Sequence, residues 1–109
     1  MREYVPDVWV VLEFTAPQLE KPMQKLFACW YGGFTGSNSW KLNSGVTAVR
    51  RDGDWWEFDG HSGSTYRCHK NNYHMSGLMQ GIYSSWIKQA DEQGDVTIRI
   101  LDIDEIAES

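Results

Sequence analysis

The sequence predicts an α+β fold in which an antiparallel sheet of about five to six strands has one amphipathic helix packed on a face. Most of the chain consists of short β-branched or aromatic runs separated by Gly, Pro, Asn or Asp, which is typical of strands and turns. One stretch, residues 75–89, instead repeats apolar residues at intervals of three and four, as amphipathic helices do. With 109 residues, the chain is expected to form a single domain over residues 1–109.

Three strands are predicted in the first part of the chain, at residues 8–14, 25–31 and 39–43. One face of the first strand carries Val8, Val10, Leu12 and Phe14. The second strand is apolar on both faces, which indicates burial on both sides. The glycine-rich loop at residues 32–39 lacks the lysine and the spacing of a Walker A phosphate loop.

A hairpin is predicted around Asp52-Gly53, because this dipeptide lies between two strand-like runs and glycine accepts the positive φ of a type I′ turn. The expected opposed pairs are Arg51 with Asp54, Arg50 with Trp55, Val49 with Trp56, and Thr47 with Phe58. One face of this hairpin is expected to be core and carries Val49, Trp56 and Phe58. The other face is mixed and carries Val46, Ala48, Arg50, Trp55, Glu57 and Asp59. Its expected cation–π pair of Arg50 over Trp55 fits either a solvated face or a face that contacts a ligand.

The next predicted strand is TYRCHK, residues 65–70. Strand alternation places Thr65, Arg67 and His69 on one face and Tyr66 and Cys68 on the other. If the second face is core, Arg67 and His69 are presented together. This face is either a solvated strand face or a place where arginine binds a phosphate and an aromatic ring stacks on a base.

The predicted helix contains Gly77 and Gly81, four residues apart on one side. Glycine costs a helix about 1 kcal/mol relative to alanine at each position. The two glycines therefore suggest close approach by another backbone, either the sheet or a second subunit, and we expect the chain to self-associate. A last strand is predicted at residues 96–101, and the acidic end after it is expected to be a solvated tail.

The charge distribution favours a small anionic ligand over a long nucleic acid. The net charge of −5 argues against bulk duplex binding, which depends on basic side chains. Residues 36–74 carry five basic and four acidic side chains and form the only segment with a positive balance. No cofactor is expected.

The cysteines and the start of the chain favour a cytoplasmic protein without a metal. Cys29 and Cys68 form no CxxC pair, and the N-terminal apolar run is too short for a signal peptide or a membrane span. Cys68 and His69 are adjacent on a strand and point to opposite faces, so they are poorly placed to bind one metal ion together.

No catalytic set is expected, and the chain is predicted not to be an enzyme. The sequence GHSGS at residues 60–64 departs from the nucleophile elbow G-x-S-x-G, since it ends in Ser64 and lies between two strands. It is either an ordinary turn or an anion-binding turn that uses Ser62, Ser64 and Thr65. The carboxylates of the hairpin are expected to be solubilising or turn-forming.

The middle of the chain resembles a known protein family, and this resemblance bears on function. The run W-x-L-N-S-G-V-T-x-V, followed by D-G-D-x-W-x-F-x-G-x-S-G-S-x-Y-x-C-H-K, resembles a family of small phage anti-defence sponges of the first Thoeris anti-defence type, over residues 25–87. The resemblance implies sequestration of cyclic ADP-ribose-like or related cyclic nucleotide signals without cleavage, in the host cell cytoplasm, by a dimer or a higher oligomer such as a hexamer. No site residue is carried over from the family.

These observations together predict a protein that binds and sequesters a small anionic nucleotide. Arg67 is expected to be the main phosphate contact. The other expected ligand contacts are His69, Lys70, Arg50, Arg51, Ser62, Ser64, Thr65, Trp40, Trp55, Tyr31 and Asn43.

Two other classes of function stay open. The first is an inhibitor that binds a host defence or regulatory protein through the acidic end and exposed Trp residues. The second is a single-strand nucleic-acid binder, which the charge of −5 disfavours.

Overall fold

Eight strands, one α-helix and two short 3-10 helices make up the part of the chain that the computed structural model describes, residues 2–32 and 38–108. The strands are β1 (Arg2–Tyr4), β2 (Val8–Thr15), β3 (Met23–Trp30), β4 (Ser39–Leu42), β5 (Val46–Asp52), β6 (Trp55–Gly60), β7 (Ser64–His69) and β8 (Thr97–Ile100). The helix is α1 (Gly77–Gln93), and the 3-10 helices are Lys70–Asn72 and Ile103–Glu105. Within the predicted glycine-rich loop, residues 33–37 lie outside the described residues.

The strands form two sheets of four. The first sheet has the order β1-β7-β6-β5 and the second has the order β4-β3-β2-β8. All described strand pairs within the sheets are antiparallel except β1 with β7. The α+β class is therefore confirmed, whereas the prediction of a single sheet with five to six strands is wrong.

The two sheets pack face to face, and α1 covers the other side of the second sheet. Strand β2 shows this arrangement, since Trp9 and Val11 belong to the core between the sheets while Val8, Val10 and Leu12 belong to the core under the helix. Both faces of this strand are buried, and a strand buried on both faces is apolar throughout instead of alternating. The layer order is thus helix, second sheet, first sheet.

The C-terminal segment closes the core between the sheets. Leu101 and Ile106 are 2% and 6% exposed and pack in that core. Nearby, the Arg99 guanidinium pairs with Glu13 on β2 and with Glu105. The expectation of a solvated tail is therefore wrong for this segment, because Leu101 and Ile106 are buried, although its acidic side chains stay exposed.

The hairpin of β5 and β6 forms with a different register. Asp52 lies opposite Trp55, and Arg50 lies opposite Glu57 instead of Trp55. The turn residues are therefore Gly53 and Asp54, and of these only Gly53 has a positive φ, 63°, so the turn is not of type I′. From Ala48 to Arg51, each residue of β5 pairs with a residue two positions further along β6 than predicted, and a shift of two keeps the side chains other than that of Val46 on their predicted faces. The exception follows a register irregularity between Val46 and Ala48, where Val46 packs against the core between the sheets.

The helix begins and ends with recognisable caps. Ser76 accepts a hydrogen bond from the backbone N–H of Met79, and Gly94 ends the helix in the left-handed conformation with φ 82°. Gly77 and Gly81 face open space, since a Cβ added at either would have no heavy atom within 4 Å. The sheet is therefore not the backbone that approaches them, and the expected contact with a second subunit stays a prediction.

Tyr73 connects three parts of the fold through its hydroxyl group. The hydroxyl accepts a hydrogen bond from the backbone N–H of Val11 at 3.1 Å and donates one to the carbonyl of Leu101 at 2.5 Å. Its ring packs against Trp9, whose indole N–H donates to the carbonyl of His69. Burial raises the pKa of Tyr73 to about 12.

Candidate anion-binding site

The face of the first sheet that points away from the second sheet, called the outer face below, unites several predicted site residues. Tyr66 and Cys68 of β7 share one face, as predicted, and that face is buried in the core, so Thr65, Arg67 and His69 point outward. The outer face carries Arg50, Asp52, Trp55, Glu57, Asp59, Thr65, Arg67 and His69. Cross-strand pairing brings Arg67 opposite Glu57 and His69 opposite Trp55.

The two outer-face arginines are held by carboxylates of the same face. Arg50 pairs with Asp59 at 2.8 Å and with Glu57 at 3.3 Å. Arg67 lies 3.3 Å from Asp52 and 3.6 Å from Glu57. The hydrogen bond from Arg50 lowers the pKa of Asp59, so this carboxylate stays ionised. A phosphate would have to displace these carboxylates from the guanidinium groups it needs, which weakens the case for the outer face as the anion site.

Trp55 is also engaged on the outer face. The guanidinium of Arg67 lies 4.6 Å from the centre of the Trp55 ring, and His69 meets the same ring edge-on at 4.9 Å. The expected pair of Arg50 over Trp55 is therefore wrong, and the cation comes from the neighbouring strand β7 instead. Thr65 is occupied as well, since its hydroxyl donates to Asp59 at 2.9 Å.

The predicted anion-binding turn at residues 60–64 uses much of its hydrogen-bonding capacity internally. The N–H of His61 donates to the carbonyl of Gly45, and the N–H of Gly63 donates to the carbonyl of Gly60. Ser64 is 7% exposed and lies on the buried side of β7, whereas Ser62 is exposed. The ordinary-turn interpretation fits this geometry better.

Three other predicted contacts lie away from the outer face. Asn43 is 4% exposed, and its side-chain oxygen accepts from the backbone N–H of Leu26, which is a structural role. Trp40 lies on the helix side of the second sheet and contacts the ring of Trp86. Tyr31 follows β3 and is 49% exposed. The structure thus does not bring these residues together with Arg67.

Arg51 and Lys70 line a different cavity, called the C-terminal pocket below. It has a volume of about 260 Å³ and is lined by Arg51, Trp56, Lys70, Ile103, Asp104 and Ile106. The pocket lies between the first sheet and the C-terminal segment. Sequence reasoning missed it because the C-terminal segment was expected to be solvated, although its apolar spacing at residues 101, 103 and 106 was a usable signal.

Arg51 is the most available guanidinium among the predicted donors. It lies 4.7 Å from the centre of the Trp56 ring and forms no ion pair with a carboxylate in residues 2–32 and 38–108. One guanidinium nitrogen donates to the carbonyl of Gly53 at 3.3 Å. Lys70 supplies a second cation, 3.0 Å from the exposed carboxylate of Asp54. The acidic side chain in the lining is Asp104.

Trp56 adds an unsatisfied donor beside this pocket. Its side chain belongs to the core, is 4% exposed, and its indole N–H has no acceptor among the described residues. A buried N–H without an acceptor costs about 1–3 kcal/mol. The C-terminal pocket therefore combines two cations and an aromatic ring with two isoleucines, which suits a ligand with both an anionic and an apolar part.

The described residues offer no evident catalytic or metal centre. Across residues 2–32 and 38–108, no three His, Cys, Asp or Glu side chains come together as metal ligands would. Burial raises the pKa of the Cys68 thiol far above its ordinary range, so this cysteine is not an activated nucleophile. Cys68 and His69 point to opposite sides of β7, as predicted.

None of the helices in the described residues has the length and apolar character needed to cross a membrane. Comparisons of the chain with models of protein families, with curated proteins and with solved structures find no match.

Proposed function

We propose that the chain is a binding protein for a small phosphorylated ligand of the nucleotide class, and that the C-terminal pocket receives its phosphate. The observation that carries this proposal is the guanidinium of Arg51, which lies over the ring of Trp56 and forms no ion pair with a carboxylate in the described part of the chain. Arginine binds phosphate through a planar fork of N–H donors.

Stacking prepares Arg51 for this role. A surface arginine loses side-chain entropy when a ligand fixes it, but one that already rests on an indole loses less. Lys70 adds a second positive charge, and Ile103 and Ile106 offer apolar contact to a sugar or a base. A volume of about 260 Å³ is at the small end for ligand pockets, so it suits part of a nucleotide, with the remainder outside.

The cyclic form of the nucleotide and the anti-defence role are proposed on the sequence resemblance. In that setting the protein holds a cyclic immune signal, of the cyclic ADP-ribose or cyclic oligonucleotide kind, and returns it unchanged. One observation supports retention without cleavage: the carboxylates of Asp52, Glu57 and Asp59 on the outer face are engaged by arginines.

A depletion experiment tests this function. The purified protein is incubated with a panel of cyclic nucleotides, the free ligand is measured, and the protein is then heat-denatured. We expect one nucleotide to disappear from solution in proportion to protein and to return intact after heating. A cleaved product that accumulates with time would overturn the sequestering role. If no nucleotide of the panel is depleted, cyclic nucleotides are excluded as the ligand class.

A second proposal concerns contact with another protein, because α1 exposes an apolar groove. A shallow groove of about 490 Å³ is lined by Gly77, Leu78, Gly81, Ile82, Ser85 and Trp86. Small residues at 77, 81 and 85 form a furrow beside Leu78, which is exposed, and beside Ile82 and Trp86, which are half-buried against the core under the helix. The small residues have a spacing of four, so the exposed Leu78 side chain of one copy fits the furrow of a second copy. We propose that the chain self-associates through this groove.

Replacing a glycine of the furrow with a large residue distinguishes the effect of the glycine on helix stability from its effect on self-association. Gly81→Leu is expected to raise the stability of the monomer by about 0.5–1 kcal/mol, because leucine is the better helix former and nothing obstructs its Cβ. The same change is expected to abolish self-association, measured by light scattering over a range of concentrations. Ser84→Leu, at an exposed position outside the groove, is the matched control. A wild-type mass of 12.6 kDa at every concentration would contradict the proposal.

A further inference from the structure

A separate group of cations lies where an edge strand of the first sheet meets an edge strand of the second. Arg2 on β1 places a guanidinium nitrogen 3.4 Å from the hydroxyl oxygen of Tyr4. Lys41 on β4 places its ammonium nitrogen 3.5 Å from the same oxygen and 4.7 Å from the centre of the Tyr4 ring. Two cations from different sheets thus converge on one phenol.

Packing fixes the position of this phenol. Tyr4 lies opposite Tyr66 in the parallel pairing of β1 with β7, and the two rings are stacked at 5.1 Å. Trp30 meets the Tyr4 ring edge-on at 6.0 Å, and its indole N–H donates to the carbonyl of Val5. The hydroxyl is therefore held at the junction of the two sheet edges, within reach of both cations.

The two cations have no carboxylate counter-ion in the part of the chain that the structure describes. Neither Arg2 nor Lys41 forms an ion pair with a carboxylate in residues 2–32 and 38–108, whereas Arg50, Arg67 and Arg99 each contact two carboxylates. Like charges that converge without a counter-ion repel each other, and a bound anion removes that repulsion. The positive surroundings also lower the pKa of Tyr4, chiefly through the hydrogen bond from Arg2 and then through Lys41.

We propose that Arg2, Lys41 and the hydroxyl of Tyr4 bind a phosphate-type oxyanion at the junction of the sheet edges. All three groups can donate hydrogen bonds, and the arginine and lysine side chains are exposed to an approaching ligand. This site shares no residue with the C-terminal pocket, so it goes beyond the function proposed above.

Titration with inorganic phosphate, followed by amide NMR at constant ionic strength, tests the site. We expect saturable shifts at residues 3–5 and 40–42, and an affinity about tenfold weaker in Lys41→Gln. Lys25→Gln is the matched control, because Lys25 also has no ion pair in the described residues but lies over Phe14. Its affinity is expected to equal that of the wild type. The dispersion of each variant's spectrum shows whether it is folded.

The ionisation of Tyr4 gives a second readout. A bound phosphate is expected to raise the pKa of Tyr4, and Lys41→Gln is expected to remove that response. Shifts that grow linearly without saturating, or that are equal in Lys41→Gln, would overturn the proposal. Saturable shifts confined to the amides of Arg51 and Lys70 would also overturn it, while supporting the C-terminal pocket.

Discussion

Replacement of Tyr73 with phenylalanine is expected to lower the free energy of unfolding by about 2–4 kcal/mol, as measured by urea denaturation. The hydroxyl serves two backbone groups at once, the N–H of Val11 and the carbonyl of Leu101. Phenylalanine leaves both groups without this partner inside the protein. It keeps the ring that packs against Trp9 at 4.6 Å, so the loss reports the hydrogen bonds and not the packing.

Tyr83→Phe is the matched control for that variant. The hydroxyl of Tyr83 makes a long hydrogen bond, 3.5 Å to the carbonyl of Ile98, and no other to the residues that the structure describes. Its removal is expected to cost less than about 1 kcal/mol. Equal losses in the two variants would show that the hydroxyl of Tyr73 does not fasten β2 to the C-terminal segment.

Tyr73 also makes the stability of the folded state depend on pH in the alkaline range. Burial raises the pKa of Tyr73 from 10.0 to about 12, so the folded state prefers the neutral phenol. The resulting stability is fully present below pH 10 and is lost as the pH rises towards 12. Tyr73→Phe has no phenol to ionise, and its stability is expected to fall less over this range than that of the wild type.

The faces of the strands were predictable because alternation is a local property. The inward side chains of β2, β6 and β7 follow from the period of two in the sequence. The number of layers was harder to predict. The apolar run of β3 correctly indicated burial on both sides, but a single helix covers only one side of a sheet. A second sheet therefore has to cover the other side, and no local sequence pattern predicts that sheet.

The charge pairing on the outer face depends on the register of the strands, which is harder to predict from the sequence than the faces of the strands are. With Asp52-Gly53 as the turn, Arg50 faces Trp55 and its cation is available to a ligand. With Gly53-Asp54 as the turn, Arg50 faces Glu57, and the arginines become neutralised. A shift of the turn by one residue thus moves the candidate anion site off the outer face.

The C-terminal pocket could not be predicted for a different reason. Its walls come from β5, β6, the 3-10 helix Lys70–Asn72 and the C-terminal segment, and only the tertiary fold brings them together. The acidic residues of that segment suggested solvation, yet Leu101 and Ile106 supply enough apolar surface to be buried. Arg51 was among the predicted donors, but its stacking partner is Trp56 on the core side.

Arg51→Gln is expected to weaken nucleotide binding by about ten- to a hundredfold, since a charged hydrogen bond is worth about 1.5–3 kcal/mol. Glutamine keeps part of the length and polarity of the side chain but removes the charge and the guanidinium fork. Arg51 is exposed, so the variant is expected to fold. The measurement is calorimetry with the nucleotide that the depletion experiment identifies.

Arg67→Gln is the comparison that locates the site. Both substitutions remove one arginine that lies over an indole ring, Trp56 for Arg51 and Trp55 for Arg67. They differ in that the Arg67 guanidinium is already engaged by Asp52 and Glu57. We therefore expect Arg67→Gln to bind with the affinity of the wild type. If Arg67→Gln loses affinity while Arg51→Gln does not, the ligand lies on the outer face and displaces those carboxylates. If both variants bind as the wild type does, the phosphate contacts neither arginine, and binding of a protein partner becomes the better proposal.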